Sequence, residues 1–470
     1  MLQLFKYSPS NFKLLAIILI NSCCASCVIA QKPLKFTSPA NNSTVVVPLI
    51  YGYNRDNTSI ASTIKSFVKD GVFTRKNKTI GYTLHLVNKL KEEQTGVVKM
   101  QIANGSGLVL YKEELPFTIR KRGSFKKDYV FAQGQLQPGF YVSSMDIATN
   151  RYADTISYNF GYEPKKIIVK LSAPNDFVSF WDNAKRELNN TQPNYSVTPR
   201  PDLSTKIGDA YEVEYKSIDK GIIYGWLTVP KGSRNQPVLY KISDYQSELS
   251  PEFRGNMAVL CINTRGTGAS NQNYTLPYDQ LGVYNLKDKN KYYLKGAYLD
   301  ALRGLDLISY FAPTMKLNVD KILASGNGLG ASAAAMLAAI DSRLKGIIVE
   351  SPSFIGMRDM INFGEGMTDI SFPASMFKNY YSTQKISKET VIKTLEYFDP
   401  VYFAPYINCP ILTGFSLHNK NIPAQSVYNF IAQLRVSKKD IYECKDCETT
   451  LDKGFYGFKE AWIKERFGQP

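Results

Sequence analysis

Hydrophobic and polar residues alternate with a period of two along the N-terminal third of the chain. The alternation is clearest at residues 82–87 and 96–102, and turn signals such as Asn104-Gly105 separate the apolar runs. A period of two between turn residues predicts short antiparallel strands with one buried face. Residues 31–165 are therefore predicted to form an all-β sandwich of immunoglobulin or fibronectin type.

Further along the chain, segments with helical spacing of apolar residues alternate with short apolar strands. Residues 175–190 and 295–311 carry apolar side chains along one helical face, and residues 258–263 form an apolar strand. Alternation of strands and helices predicts a mostly parallel sheet with flanking helices. Residues 166–470 are therefore predicted to form an α/β domain.

Residues 321–339 contain the most informative turn of this second part. A short apolar strand leads into a glycine-rich turn that opens a helix of small residues, and another apolar strand follows at 345–350. This arrangement is a βαβ unit. It suits two chemistries, the nucleophile elbow G-x-S-x-G of α/β-hydrolases and the G-x-G-x-x-G/A turn that binds dinucleotides.

The glycine spacing leaves both chemistries open. Gly326-Asn327-Gly328-Leu329-Gly330 fits the nucleophile elbow only if Gly328 has replaced the serine. Gly326, Gly328 and Ala331 match the dinucleotide turn directly, and Glu350 would supply its acid. The other motifs of the chain have to decide between the two.

Composition narrows the function classes. The 470 residues include only two histidines, which limits acid–base and metal chemistry. The net charge of +16 is compatible with anionic partners such as nucleic acid, acidic glycans or membrane phosphates, but a solvated basic surface is the favoured interpretation. No nucleic-acid partner, cofactor or metal is predicted.

Much of the positive charge lies in the predicted sandwich. Lys121, Arg122, Lys126 and Lys127 surround Gly123-Ser124 in a predicted loop, where ligand contacts are common. These four side chains are the candidates for binding an anionic glycan or envelope polymer. An ordinary solvated turn is the alternative.

The N-terminus is typical of an exported bacterial protein. Within residues 1–30, two lysines and an apolar run at 14–20 precede a cleavage point after Ala30. The run is too short to span a bilayer, so no transmembrane helix is predicted. We expect a secreted, periplasmic or outer-membrane-associated protein, with lipid attachment at Cys23 as the less favoured alternative.

Cys444 and Cys447 form a C-x-x-C motif near the C-terminus. A zinc site would need two further ligands, and outside the predicted export signal the sequence offers no second C-x-x-C or nearby histidine. In an oxidising compartment the spacing favours a local disulfide, with a redox role as the alternative.

Several motifs follow one another in a fixed order after residue 170. They are Asp176-Phe177 with Phe180-Trp181, Tyr224-Gly225-Trp226-Leu227, Arg265-Gly266-Thr267-Gly268, Tyr298-Leu299-Asp300-Ala301-Leu302-Arg303 and Asp399-Pro400-Val401-Tyr402-Phe403-Ala404. This ordered set resembles the acetylxylan esterase and cephalosporin-C deacetylase family of α/β-hydrolases. The resemblance implies an α/β-hydrolase fold and a carbohydrate ester as substrate, and it displaces the dinucleotide interpretation.

The same resemblance implies that the catalytic triad has been lost. The serine position falls on Gly328, the acid position falls on His418 or Asn419, and the histidine position falls on Cys447. None of these residues is the serine, carboxylate or histidine that the triad requires.

One part of the family's site is retained. Tyr245, in Ser243-Asp244-Tyr245, falls on the tyrosine of the family's H-G-Y motif, whose backbone helps to form the oxyanion hole. With Leu329, which follows the elbow position, Tyr245 would line a ligand cleft. A tyrosine packed at the base of a loop is the alternative.

These observations predict an inactive relative of the esterases that binds a carbohydrate, an acetylated glycan or an envelope partner. An active deacetylase that uses Ser243, Ser325 or Cys447 as its nucleophile is the first alternative. An adhesion or envelope protein that binds anionic polymers through its basic sandwich is the second. The sequence leaves the oligomeric state open, including a homo-oligomer.

Overall fold

A computed structural model describes residues 59–132, 134–169, 172–232, 234–271, 274, 276–365, 372–419 and 421–468. All of them lie in one compact unit. The predicted export signal at residues 1–30 and the alternative lipid site at Cys23 lie outside the described residues. Among the helices of the described part, none is long and apolar enough to cross a membrane.

Residues 60–162 consist of strands and turns, and we call them the N-terminal β region. The strands are, in chain order, β1 (Ile60–Ser66), β2 (Val72–Phe73), β3 (Ile80–Asn88), β4 (Gln94–Asn104), β5 (Val109–Ile119), β6 (Ser124–Phe131), β7 (Gly139–Thr149) and β8 (Ala153–Tyr162). They form a three-stranded sheet in the order β1-β3-β6 and a five-stranded sheet in the order β2-β8-β7-β4-β5. Neighbouring strands are antiparallel except for the short β2–β8 pair.

The two sheets share one hydrophobic core. Tyr82, Leu84 and Leu86 of β3 are fully buried and belong to the same cluster as Met100 of β4 and Met145 of β7. The buried residues of β3 are two positions apart because successive side chains of a strand point to opposite faces. The period of two in the sequence therefore predicts the buried face correctly.

The remaining strands form a single mixed sheet. They are β9 (Ser196–Pro199), β10 (Gly208–Lys216), β11 (Ile222–Pro230), β12 (Gln236–Ile242), β13 (Ala258–Asn263), β14 (Leu317–Gly328), β15 (Leu344–Pro352), β16 (Ile411–Ser416) and β17 (Lys439–Cys444). Their order is β17-β16-β15-β14-β12-β13-β11-β10-β9. The six strands from β17 to β13 run parallel, whereas β11, β10 and β9 are antiparallel to their neighbours.

Helices cover both faces of this sheet. They are α1 (Phe177–Asn189), α2 (Tyr278–Leu281), α3 (Tyr293–Met315), α4 (Leu329–Ile340), α5 (Met357–Glu365), α6 (Ala374–Thr383), α7 (Lys388–Leu395), α8 (Pro400–Phe403), α9 (Ala424–Gln433) and α10 (Lys453–Phe467). In β14, Ile322 and Ala324 pack in the core that contains α3 and α4, whereas Leu323 packs in the core that contains Phe455 and Trp462 of α10. Residues 322–324 are buried on both faces and accordingly form an uninterrupted apolar run, whereas residues 319–321 of the same strand are exposed.

Contacts between the N-terminal β region and the loops at one end of the large sheet join the two parts. The Gln425 side chain, at the start of α9, accepts a hydrogen bond from the Phe140 N–H (2.9 Å). The Lys445 ammonium lies 2.7 Å from the Asp70 carboxylate. Just after the N-terminal β region, Lys165 lies 3.4 Å from Glu443 of β17. The N-terminal β region thus contacts the segments that follow β16 and β17.

Candidate functional site at the elbow turn

The elbow turn joins β14 to α4 at Gly328. This glycine has φ +54° and ψ −119°, a conformation that residues with a Cβ atom seldom adopt. Such a strained strand-to-helix turn is the geometry that presents a nucleophile in α/β-hydrolases. The backbone of the elbow is therefore present although the residue at its apex has no side chain.

The Asp244 carboxylate occupies the space beside this apex. A Cβ atom built on Gly328 would lie 1.9 Å from Asp244 Oδ1, far inside any real contact distance. Asp244 follows β12, and strands β12 and β14 are hydrogen-bonded neighbours whose carboxyl ends lie together. Gly328 thus makes room for a carboxylate that comes from another loop.

Two backbone amides hold the same carboxylate oxygen. Asp244 Oδ1 accepts hydrogen bonds from the Leu329 N–H and the Tyr245 N–H, each at 2.7 Å. Burial raises the pKa of Asp244, although these two hydrogen bonds act in the opposite direction. Two amides converging on one oxygen at about 2.7–3.1 Å reproduce the arrangement that an oxyanion hole offers to a tetrahedral intermediate.

The Tyr245 side chain is packed within the protein. Its ring lies 4.9 Å from the ring of Tyr278, 5.5 Å from Phe354 and 5.3 Å from Phe372, measured between centroids. Its hydroxyl donates to the Tyr278 carbonyl and accepts from the Gly282 N–H. The backbone of Tyr245 therefore belongs to the elbow site, while the ring supports the loop beside it.

The predicted acid position lies on the loop after β16. Asn419 is buried, and its side-chain oxygen accepts from the amides of Asn421 (2.9 Å) and Ile422 (3.2 Å), which fixes the turn. The His418 ring is half-buried beside Gly71 of the N-terminal β region, where a Cβ atom would lie 3.6 Å from His418 Cε1. Both side chains therefore have structural contacts: Asn419 holds the turn of the loop, and His418 lies between the loop and the N-terminal β region.

The predicted histidine position lies on the loop after β17. Cys444 and Cys447 are joined by a disulfide, with their Cα atoms 5.5 Å apart. The Cys447 carbonyl accepts from the Ser416 hydroxyl, which also accepts from the His418 N–H. The sulfur atoms and an Asp452 carboxylate oxygen lie within 4.8 Å of one another. Metal binding requires thiolates, so this group could ligate an ion only after reduction of the disulfide.

Comparison with known proteins places this geometry in a family. The model of the acetyl xylan esterase family (AXE1) matches residues 163–456, which include the elbow and the loops after β16 and β17. The chain belongs to the acetyl xylan esterase family. The predicted α/β-hydrolase fold is thereby confirmed, and the dinucleotide interpretation of the elbow is wrong.

Individual members of the acetyl xylan esterase family are distant from this chain. Acetyl esterase Axe7A of Xylanibacter ruminicola is 23% identical over 284 residues, which make up 57% of this chain. The match spans 62% of the length of Axe7A.

Two solved structures share the fold. The acetyl xylan esterase of Paenibacillus sp. R4 has a TM-score of 0.58 and 24% identity and covers 64% of this chain and 98% of its own. Acetyl xylan esterase 1 of Thermoanaerobacterium sp. JW/SL YS485 has a TM-score of 0.56 and 17% identity, with 65% and 98% coverage.

The alternative nucleophiles are withdrawn from solvent. Ser243 is fully buried and its hydroxyl accepts from the Thr264 N–H (3.1 Å), while Ser325 is buried within β14. Cys447 is buried and bonded to Cys444. A nucleophile has to reach the ester carbon and needs an adjacent base, so these positions are poorly suited to an esterase of this family.

Glu350, the acid that the dinucleotide interpretation requires, lies near the end of β15. Its carboxylate accepts from Asn327 Nδ2 (3.3 Å) and from the Tyr456 hydroxyl (3.2 Å) and pairs with Lys459 Nζ (3.0 Å). Asn327 is exposed directly before the elbow, whereas Glu350 is buried. Glu350 therefore ties the elbow strand to α10.

The four basic residues predicted to form one patch do not share one face. Lys121 and Arg122 are exposed on the turn before β6, but β6 begins at Ser124, so Lys126 and Lys127 lie in a strand and not in a loop. Lys126 is exposed, while Lys127 points to the opposite face, 3.9 Å from Glu113 and over the Tyr129 ring. Consecutive strand residues alternate between faces, which separates Lys127 from the others. Binding of an anionic polymer stays a prediction.

Sequence reasoning missed Asp244. The signal was present as two departures from the family's motifs, because an aspartate precedes the tyrosine of H-G-Y and a glycine replaces the elbow serine. Only the structure brings these two positions into contact.

Proposed function

We propose that this member of the acetyl xylan esterase family binds a carbohydrate or a carbohydrate ester without hydrolysing it. The observation that carries the proposal is the Asp244 carboxylate, which lies where a nucleophile side chain at position 328 would begin. Ester hydrolysis by this family's chemistry needs a nucleophile, a base and free oxyanion donors. The elbow of this chain offers none of the three to a substrate.

A groove beside the elbow is the proposed place for the ligand. It has a volume of about 560 Å³ and lies between the α2 segment and α6. Side chains suited to sugars line it, namely Gln280, Tyr284, Asn285, Asn379 and Tyr380. Aromatic faces pack against sugar rings and amides hydrogen-bond to hydroxyls, and the charged Asp279, Lys287 and Asp288 also line the groove, so the lining suits a saccharide. Tyr245 connects this groove to the elbow through its bonds to Tyr278 and Gly282.

The proposal extends to the organisation of the whole chain. Residues 31–165 would form a sandwich of immunoglobulin or fibronectin type, and residues 166–470 would form the hydrolase domain. Residues 1–30 would direct export from a bacterial cell, with retention at the envelope as one consequence.

Hydrolysis of p-nitrophenyl acetate and of acetylated xylo-oligosaccharide tests the loss of catalysis. We expect no turnover above the weak rate that binding alone supports. A rate on the order of 1 per second or more would contradict the proposal. In that case Ser243→Ala, Ser325→Ala and Cys447→Ala would identify the nucleophile of the alternative, active enzyme.

Calorimetric titration with acetylated xylo-oligosaccharide tests binding separately. We expect saturable binding that Tyr284→Ala weakens by at least about tenfold, because this change removes an aromatic face from the groove. Tyr310→Ala is the matched control, since Tyr310 is an exposed tyrosine of α3 outside the groove. Equal affinity of the two variants would remove the groove from the proposal.

A further inference from the structure

The amides of Tyr245 and Leu329 form an anion site that already contains an anion. Both N–H groups point at Asp244 Oδ1 from 2.7 Å, and Leu329 is the first residue of the twelve-residue helix α4. Backbone amides at a helix N-terminus favour negative charge because the helix dipole adds to the hydrogen bonds. The chain supplies its own carboxylate to a site that in an esterase receives the oxyanion of the substrate.

A second observation, independent of these hydrogen bonds, supports the same assignment. The ideal Cβ position of Gly328 lies 1.9 Å from Oδ1, 2.3 Å from Cγ and 2.4 Å from Oδ2 of Asp244. The whole carboxyl group therefore fills the space of the side chain that this elbow would otherwise carry. Glycine at 328 and aspartate at 244 are sterically matched, and either residue alone would leave a clash or an empty anion site.

We propose that the Asp244 carboxylate is a resident occupant of the oxyanion hole formed by Tyr245 and Leu329, and that it excludes ester carbonyls and small carboxylate anions from the elbow. This inference rests on the proposed function and deepens it. Loss of the serine alone would leave a hole that still binds acetate or a substrate carbonyl. The carboxylate closes that hole, so ligand recognition is left to the groove beside it.

Acetate is the probe for this inference because it is the smallest carboxylate that matches the Asp244 side chain. Selective ¹⁵N labelling of leucine and tyrosine allows the Leu329 and Tyr245 amides to be followed by NMR in the full chain. Acetate is titrated against chloride at constant ionic strength. In the wild-type protein we expect both amide signals to stay unmoved, since the hole is occupied.

In Asp244→Gly we expect acetate to cause saturable shifts of the Leu329 and Tyr245 amide signals, with a dissociation constant on the order of millimolar for so small a ligand. Asp244→Ala serves as a second variant in case the glycine variant does not fold. Asp320→Ala is the charge control, because it removes an exposed carboxylate eight positions before Gly328 in β14 without touching the hole. It should leave the amide signals as unresponsive to acetate as they are in the wild type.

Two results would overturn the inference. Acetate-dependent shifts in the wild-type protein would show that Asp244 leaves the hole freely, and a folded Asp244→Gly or Asp244→Ala protein that ignores acetate would show that the amides form no anion site. If neither variant folds, the wild-type titration alone decides. None of these outcomes depends on ester hydrolysis, so a failure here is distinguishable from a failure of the proposed function.

Discussion

Two polar clusters at the carboxyl edge of the large sheet differ in what they retain of the family's motifs. The first surrounds Arg265, whose guanidinium is buried and forms two hydrogen bonds of 2.8 Å with the buried Asp300 carboxylate. Further bonds reach the Tyr274 hydroxyl and the Ile218 carbonyl. The second cluster is the elbow, where Gly328 stands at the serine position and Asp244 fills the hole.

The difference follows from what each cluster does for folding. A buried guanidinium needs its partners, because an unpaired charge away from water is strongly unfavourable. A nucleophile on a strained turn contributes to catalysis but not to stability, and replacing it with glycine relieves the strain. The motif around Arg265 can therefore persist for the sake of the fold alone, while the elbow keeps its backbone although Gly328 has no side chain to present.

Removal of Asp300 should have the largest effect on this comparison. Asp300→Ala leaves Arg265 buried without its main partner, so we expect the free energy of unfolding to fall by about 3–5 kcal/mol. Urea denaturation followed by far-UV circular dichroism measures the change.

Asp219→Ala is the matched control for the Asp300 experiment. The Asp219 carboxylate also contacts Arg265, at 3.3 Å, but its side chain is 54% exposed. Arg265 keeps its bonds to Asp300 when Asp219 is removed, so the loss of this half-exposed partner should cost only about 0–1 kcal/mol. Equal losses in the two variants would refute the contrast between a required buried partner and a dispensable exposed one.

Restoring a side chain at the elbow should have the next largest effect. Gly328→Ser introduces a Cβ atom at positive φ and within 1.9 Å of Asp244 Oδ1, so we expect a loss of about 2–4 kcal/mol in unfolding free energy. Adding Asp244→Gly removes the clash and should recover about 1–3 kcal/mol, measured as the coupling in a double-mutant cycle.

Gly232→Ser is the control that measures the cost of backbone strain without a steric clash. Gly232 has φ +73°, and a Cβ atom there would meet nothing within 4 Å. We expect this variant to lose only about 1 kcal/mol, the cost of the backbone conformation. Strict additivity of Gly328→Ser and Asp244→Gly would mean that the two positions are not sterically matched. The double variant should remain inactive, because Cys447 stands at the histidine position.

The sequence predicted the strands and helices of the scaffold better than the side-chain contacts at the elbow, and the reasons are physical. Alternation predicted the buried face of β3, and the ordered motifs predicted the hydrolase sheet with its elbow at Gly328. The start of β6 at Ser124 was predicted as a loop, because the consecutive charged residues Lys126 and Lys127 interrupt the alternation of apolar and polar positions. Lys127 is accommodated on the inward face because its ammonium lies over the Tyr129 ring and 3.9 Å from the Glu113 carboxylate, contacts that a hydrophobic pattern does not register.

The occupant of the oxyanion hole was beyond the reach of pattern analysis. Asp244 and its hydrogen-bond donor Leu329 are 85 residues apart in the chain. The period of a strand or helix constrains neighbours a few positions away and carries no information on a contact between two loops. Only the pairing of β12 with β14 brings the carboxylate to the elbow.

The smallest expected effect concerns the loop that carries Cys447, where Lys445 pairs with Asp70 of the N-terminal β region. Burial opposes ionisation of Asp70, but hydrogen bonds from Lys445 and from the Val72 N–H outweigh it and lower the pKa of Asp70 below the ordinary 3.8. Ionised Asp70 thus stabilises the fold at pH values above the ordinary pKa of 3.8, and this contribution is lost as the pH falls through the lowered pKa of the folded state.

Because Lys445 is 55% exposed, Lys445→Ala should reduce the free energy of unfolding by only about 0–1 kcal/mol at pH 7. Urea denaturation at pH 7, 5 and 4 and at a pH below the lowered pKa should show that the stability difference from wild type shrinks at the acid end.

Lys69→Ala is the control. It affects a looser pair with Asp446 at 3.9 Å and should not change the unfolding free energy measurably at any of these pH values. A Lys445 effect that grows as the pH falls would refute the ion pair, and one as large as that of Asp300→Ala would contradict the contrast between exposed and buried ion pairs.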